Sequence, residues 1–271
     1  VQHIGSSAIP GIPTKPIIDI AAVIPILPPT PEMEAVLLSL GYKAVPSTLK
    51  LHVDSGDWLF MRTVTQNDSV GKRTTRSDEE SLGVMLHLHA ETLPWRLQAL
   101  AFRDFLVDKQ HELYVQAYAT VKQQLLDRDY GKNYFGGKAP FVIETMARAT
   151  VFSFSHSKNE NHTTHQRLLQ VAADLTVTED VLTNEDKEIF DVVGPSGLSG
   201  VHIACLFGNM ALIKKWSQKT LINNASCTGW TAVHFAAASR QLETLQWLHS
   251  KGAHMNQSDR QGNTPLDIAR L

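Results

Sequence analysis

The chain has 271 residues, of which 43% are apolar and 19% charged, and its formal charge is −2. That length predicts two domains, and that composition excludes a disordered chain. Basic and acidic residues are balanced in both parts, with 15 against 16 in residues 1–150 and 10 against 11 in 151–271. The charge pattern therefore gives no indication of DNA or RNA binding.

The longest apolar stretch, Ile17 to Leu27, contains 11 residues and includes Asp19. A membrane-spanning helix needs about 20 apolar residues, so we expect no membrane span. The two cysteines, Cys205 and Cys227, exclude a disulfide framework and are typical of a reducing compartment. A cytoplasmic location is the resulting expectation.

The first 150 residues combine strand-like and helix-like segments. Pro16 to Ile24 is rich in β-branched residues and almost continuously apolar, which predicts a buried strand. Residues 31–40 predict a helix, and the alternating stretch from Val84 to Ala90 predicts a second strand. Helical patterns then run from Trp95 to Leu126 and from Lys138 to Thr150. These elements predict an α+β domain over residues 1–150.

A polar segment follows this domain. Residues 153–165 are almost entirely polar, and two short helical patterns come after them. We therefore predict that residues 151–193 form a polar linker with short helices.

The C-terminal part of the chain is periodic. The block from Gly197 to Ala204 aligns with the block from Gly229 to Ala236 and with that from Gly262 to Ala269, at spacings of 32 and 33 residues. The blocks resemble the Thr-Pro-Leu-His-x-Ala signature, and both features are typical of ankyrin repeats. We predict an all-α array of about three repeats over residues 194–271, with the last one truncated.

Ankyrin repeats stack on their neighbours and present a binding surface, so we expect a protein partner of unknown identity. His202 and His234 occupy the histidine position of the signature. We expect both to secure the backbone at a helix start and to have no chemical role. Cys205 and Cys227 are expected to be small packing residues.

The most informative stretch runs from His3 to Asp19 and reads His-Ile-Gly-Ser-Ser-Ala-Ile-Pro-Gly-Ile-Pro-Thr-Lys-Pro-Ile-Ile-Asp. A Gly5-Ser6 turn at a strand end leaves backbone N–H groups for a phosphate, and Lys15 adds a positive charge. Asp19, on the next strand, could hold Mg²⁺ against that phosphate, as phosphoryl or nucleotidyl transfer requires. A plain tight turn and a structural carboxylate are the alternatives.

This stretch resembles the signature of the GrpB family, which is assigned to the nucleotidyltransferase superfamily. The resemblance implies a nucleotidyltransferase-like mixed sheet with packed helices, a divalent metal (Mg²⁺ or Mn²⁺) and a nucleotide ligand. Joined to ankyrin repeats, such a domain would suit a bacterial effector that is secreted into a host cell and binds a host protein. The agreement covers residues 1–150 and continues through His87-Leu-His89, Trp95-Arg96, Leu100-Ala-Phe-Arg103-Asp104-Phe-Leu106, Tyr118, Lys122, Tyr134, Lys138 and Phe141.

The chain departs from the superfamily pattern at one position. Active nucleotidyltransferases generally carry two acids two residues apart, whose side chains share one face of a strand. Here the second position is Ala21. The metal site could be rebuilt from other ligands. His87, His89 and Glu91 alternate along one strand, and one or two of them could converge on one ion with Asp19 and His3. Imidazole together with carboxylate suits Zn²⁺, Mn²⁺ or Fe²⁺ better than Mg²⁺. Otherwise the domain binds a ligand without transfer chemistry.

The resulting function is metal-dependent nucleotidyl transfer to an unknown acceptor, combined with protein binding through the repeats. The alternative is a non-catalytic interaction or effector protein, so the sequence leaves open whether the chain is an enzyme. Arg103 either pairs with Asp104 or contacts an anionic substrate. The expected site residues are Ser6 and Asp19 for catalysis, Gly5, Ser6, Lys15 and Arg103 for phosphate binding, and Asp19, His87, His89 and Glu91 for the metal.

Overall fold

The computed structural model describes residues 1–14, 17–45, 58–64, 82–89, 94–128, 134–155, 164–176, 183, 186, 190–194, 197–216 and 222–270. They form two compact units, Val1–Gln123 and Gln124–Leu271. Two of the expected site residues, Lys15 and Glu91, lie outside the described residues.

The first unit contains a mixed sheet. The strands of its described part are β1 (Gln2–Ile4), β2 (Ile17–Val23), β3 (Lys43–Ala44), β4 (Trp58–Val64) and β5 (Leu82–His89). They are arranged in the order β1-β2-β5-β4-β3. β2 and β5 run parallel, whereas β1, β4 and β3 are antiparallel to their neighbours.

Helices flank this sheet in the chain: α1 (Pro31–Ser39), α2 (Pro94–Val107) and α3 (Glu112–Arg128). The first of them begins where the sequence predicts, because the Thr30 hydroxyl accepts a hydrogen bond from the Met33 amide and Pro31 needs no amide partner. Met33 and Leu37 pack this helix against a core of Ile24, Phe60 and Leu88.

Strand register assigns side chains to the two faces of the sheet. Asp19 pairs with Met85 and Ala21 with His87, so these residues and His89 share one face. The intervening residues, such as Leu86 and Leu88, point to the other face, where α1 packs.

The second unit is helical. Its described helices are α4 (Tyr134–Ser155), α5 (Thr164–Ala173), α6 (Gly200–Phe207), α7 (Met210–Trp216), α8 (Ala232–Ala238), α9 (Leu242–Ser250) and α10 (Pro265–Ala269). The helices α5, α6, α8 and α10 each contact the next one and form a row that we call the inner row. The second helices, α7 and α9, pack against α6 and α8 respectively.

The turns between helix pairs repeat with the sequence. The Gly194 amide donates to Leu198, the Ser226 amide to Trp230 and the Asp259 amide to Asn263, always four residues on. Each turn also holds a glycine with positive φ, namely Gly197, Gly229 and Gly262. These bonds recur at spacings of 32 and 33 residues, so the period seen in the sequence is also a period of the backbone structure.

The signature histidines have the structural role that the sequence predicts. His202 Nδ1 accepts a hydrogen bond from the Ser199 amide, while its Nε2 donates to the Asn224 carbonyl in the following repeat, at 3.0 Å. His234 bonds in the same way to Thr231 and Asn263. Each ring therefore closes one helix start and fastens the next turn.

The two cysteines are free thiols, Cys205 buried and Cys227 half-buried. Burial raises the pKa of both thiols, so they are weak nucleophiles at neutral pH. This agrees with the packing role expected of them.

The predicted fold class is confirmed: a mixed sheet with packed helices comes first, and a helical repeat array follows. The predicted boundaries at residues 150 and 193 stay predictions, whereas the packing assigns α4 to the second unit. Among the described helices, none combines the length and the apolar character needed to cross a membrane.

Candidate functional site

The turn after β1 lies directly against Asp19. Gly5 has φ of 71°, and a Cβ added to it would lie 2.5 Å from Asp19 Oδ2 and 2.9 Å from Asp19 Cβ. A residue with a side chain would therefore be strained by its backbone and would also collide with the carboxylate. This close approach requires glycine, and it brings the turn and the carboxylate together as the sequence predicts.

Local hydrogen bonds hold the turn. Ser6 to Ala8 form a short 3₁₀ helix in which the Ala8 amide donates to the Gly5 carbonyl at 3.2 Å. The Ser7 hydroxyl lies 2.9 Å from His3 Nε2, which connects the turn to β1. Sequence reasoning singled out Ser6 and missed the His3–Ser7 pair, for which the sequence carries no recognisable signal.

His87 is the direct partner of Asp19. Its Nε2 donates to Asp19 Oδ1 at 3.2 Å, and both side chains are partly buried, at 14% and 28% exposure. In the strand pairing His87 lies beside Ala21, the position where the superfamily pattern has a second acid. The imidazole of His87 thus reaches Asp19 from the neighbouring strand, whereas position 21 itself holds an alanine.

His89 lies on the same face, one step further along β5. Its ring is nearly parallel to that of His87, with the ring centroids 6.1 Å apart, as expected for residues two apart on a strand. The side chain is fully buried. The structure therefore brings His89 next to His87, but further from the Asp19 carboxylate than His87 is.

Arg103 connects α2 to the start of the turn. One terminal nitrogen donates to the His3 carbonyl at 3.0 Å, while Nε donates to Asp104 Oδ1 at 2.7 Å. The predicted ion pair with Asp104 is thus present, and the guanidinium also bonds to the backbone two residues before Gly5. This geometry secures β1 next to the turn.

Asp19 and His87 supply one carboxylate and one imidazole, which are both possible ligands of a divalent ion. Their facing atoms lie 3.2 Å apart and are joined by the hydrogen bond described above, so an ion bound by both would replace the shared proton. Within the described residues, no group of three or more His, Cys, Asp and Glu could hold a metal ion. A divalent ion held by these two side chains would therefore need most of its ligands from other groups, such as water or phosphate.

Comparison with known proteins supports this architecture. The family model described as GrpB protein matches residues 1–148, and a model of three ankyrin repeats matches residues 157–270.

Two curated relatives are regulatory subunits by name. Protein phosphatase 1 regulatory subunit 27 from Mus musculus is 32% identical over 85 residues, which are 30% of this chain and 54% of that protein. The probable 26S proteasome regulatory subunit p28 from Saccharomyces cerevisiae is 30% identical over 88 residues, which are 31% of this chain and 39% of that protein. The chain spans about half or less of the length of these relatives.

The crystal structure of conserved protein GrpB from Enterococcus faecalis is similar at 22% identity, with a TM-score of 0.38 over 55% of this chain and 78% of that one. The GrpB family model covers more than half of the present chain. The chain therefore belongs to the GrpB family and carries ankyrin repeats after its GrpB region.

Proposed function

We propose that the GrpB region is a metal-dependent nucleotidyltransferase and that the ankyrin array binds its protein partner. The close approach of the Gly5 turn to Asp19, with His87 on the same carboxylate, carries the enzymatic part. A turn, a carboxylate and an imidazole meet at one point, where a bound nucleotide phosphate could contact all three.

Each residue has a defined task in this proposal. The Gly5 and Ser6 backbone and the Ser6 hydroxyl bind phosphate, and Lys15 and Arg103 add positive charge. Asp19 and His87 would hold a divalent ion, which supplies charge neutralisation at the phosphate when bound. His89 and Glu91 are the candidates for further ligands, and the mixed donors favour Mn²⁺ over Mg²⁺.

A non-catalytic ligand-binding domain is the second candidate. Ala21 is buried and offers no oxygen next to His87, so one carboxylate replaces the pair of acids that transfer chemistry generally uses. In that case the region would bind a nucleotide or metabolite and would release no pyrophosphate.

The first test is calorimetric titration of ATP, GTP, CTP and UTP with Mn²⁺ or Mg²⁺ onto the wild-type chain and Asp19→Asn. We expect one nucleotide to bind in the presence of metal and the substitution to weaken binding at least about tenfold, because it removes a charged ligand. Asp127→Asn, at an exposed position on α3, is the matched control and should bind like the wild type.

Two results would contradict the enzymatic proposal. Absence of nucleotide binding, or equal binding by wild type and Asp19→Asn, would remove Asp19 from the site. Binding that depends on Asp19 but yields no pyrophosphate in the presence of cell extract would favour the ligand-binding alternative.

The array is a protein-interaction element, and its curated relatives carry the names of regulatory subunits. We propose that it recruits a protein on which the GrpB region acts, in a reducing compartment such as the cytoplasm. A bacterial effector with a host partner would match this arrangement of domains. Crosslinking would test recruitment by comparing the wild-type chain with a variant in which two exposed turn residues of the array, Arg260 and His254, are changed to alanine. Loss of the crosslinked partner in the variant would support recruitment through these turns.

A further inference from the structure

Helix α4 lies on the inner row of the ankyrin array. It contacts α5, α6 and α8, which are three successive helices of that row. Two further helices also contact this row: α7 packs against α6, and α9 packs against α8. A single helix that crosses three neighbouring repeats occupies the surface that an external ligand of such an array would need.

The contact is made by one stripe of α4. Ala139, Ile143, Ala147 and Val151 follow each other at four-residue spacing, so they share one face of the helix. All four belong to the hydrophobic core that includes the buried residues of the inner row. The two alanines leave room for the row to approach the helix closely.

A cation–π contact adds specificity at the edge of this stripe. The guanidinium carbon of Arg148 lies 4.9 Å from the centroid of the Phe207 ring, at the end of α6. The Arg148 Nε also donates to Glu144 one turn earlier, which fixes the orientation of the guanidinium.

Two helices of the inner row, α6 and α8, are correspondingly closed. Every residue of α6 from Gly200 to Leu206 is buried, as is every residue of α8 from Ala232 to Ala237. The GrpB match includes α4 up to residue 148, although this helix packs with the repeats.

We propose that α4 is the internal ligand of the array: α5, α6 and α8 of the inner row bind this helix of the same chain, and an external protein is excluded from the surface that it covers. The array then has a role that does not depend on the proposed recruitment or catalysis, because it holds the helix that ends the GrpB match. An external partner would bind outside the surface that α4 covers.

Hydrogen exchange on the full chain tests this assignment. Ile143→Ala and Ala147→Arg both disturb the stripe, one by a cavity and the other by a buried charge, so at least one of them should leave the array folded. Met146→Arg is the matched control, because Met146 adjoins the stripe but lies outside the shared core as the described residues define it. We expect amide exchange in α6 and α8 to rise at least about tenfold in the stripe variants and to stay near wild type in the control.

A labelled peptide of residues 134–155 then tests whether the face is closed. At about 100 μM, a concentration sufficient to detect a weak helix–groove contact, the peptide should not bind the wild-type chain. It should bind the Ile143→Ala variant, because the packing of the native helix is weakened there. Equal binding by the two chains would overturn the proposal. So would exchange in α6 and α8 that is unchanged by the stripe substitutions or raised equally by Met146→Arg.

Discussion

At the scale of single residues, the turn glycines show how one position is constrained by its neighbours and another only by its backbone. Gly5 and Gly11 both have positive φ, of 71° and 79°. An added Cβ at Gly5 meets Asp19, whereas nothing lies within 4 Å of one at Gly11. A substitution at Gly11 would therefore introduce backbone strain alone, whereas one at Gly5 would add a collision with Asp19.

We expect Gly11→Ala to lower the free energy of unfolding by about 1 kcal/mol through strain alone. Gly5→Ala should lower it by about 2–4 kcal/mol, because the methyl group also displaces the Asp19 carboxylate. Urea unfolding of both variants measures the difference. Equal losses would mean that the turn moves away from Asp19 at no cost in free energy.

The signature histidines make the array sensitive to acid. Burial lowers the pKa of His202 to about 4 and also lowers that of His234. Between pH 6.5 and pH 4 the unfolded chain binds a proton at His202 and the folded chain does not. Stability is therefore complete above about pH 6.5 and falls as the pH decreases, by about 3 kcal/mol for His202 at pH 4.

Urea unfolding between pH 7.5 and pH 4 measures this effect, and His202→Gln is the comparison. The variant should be less stable at neutral pH, and its loss of stability per pH unit should be smaller by about 1.4 kcal/mol. The pKa values of Asp174, Asp186 and Asp267 are also lowered, but these carboxylates change stability mainly below pH 3.8, outside this window. An unchanged slope in His202→Gln would show that this ring does not titrate on unfolding.

Sequence reasoning anticipated part of the site at this scale. A Gly-Ser turn before a strand with one carboxylate suffices to predict that Gly5 and Asp19 are close. His3 does not join Asp19 as the sequence suggested, because it pairs with Ile20 and so points away from the Asp19 face. That strand register could not be predicted. Neither could the Arg103 bond to the His3 carbonyl, since it joins residues 100 positions apart.

At the scale of elements, periodicity located most helices but missed a break. The pattern from Trp95 to Leu126 predicts one helix, whereas the structure has α2 and α3 with a 3₁₀ turn between them. Asp108 has extended backbone angles, and its carboxylate accepts a hydrogen bond from the Gln110 amide, which starts the turn. An aspartate within an apolar–polar helical pattern does not reveal this cap.

Strand β4 is a second element that the sequence does not predict, because the segments around it carry little pattern. The alternation of faces along β2 and β5, in contrast, was predicted and has a consequence that can be measured. Ala21 shares its face with Asp19 and His87, whereas Ala22 faces the core under α1.

We expect Ala21→Asp to lower stability without metal by about 1–3 kcal/mol, because a buried carboxylate is desolvated. Millimolar Mg²⁺ should restore much of that loss, since the new acid adds a hard oxygen ligand beside Asp19 and His87. Ala22→Asp is the matched control and should be destabilised without rescue. Thermal unfolding with and without Mg²⁺ measures both variants, and equal rescue would place the ion elsewhere.

At the scale of the whole molecule, the repeat array could be predicted in detail and the position of α4 could not. The array follows from a period in the sequence, since the same turn bonds must recur wherever Gly197, Gly229 and Gly262 recur. The helical pattern from Lys138 to Thr150 predicts α4, but a helix pattern does not state which neighbour will cover it. Only the packing shows that its stripe lies on three repeats.

The crossing of α4 over the inner row determines how the chain can be divided for study. The GrpB match ends at residue 148, inside a helix that continues to Ser155, so a cut there would separate Ala147 from Val151 within one stripe. The fragment that contains the repeats would then expose the apolar surface of α6 and α8 to water and would tend to aggregate. A cut that leaves α4 attached to the repeats keeps that surface covered.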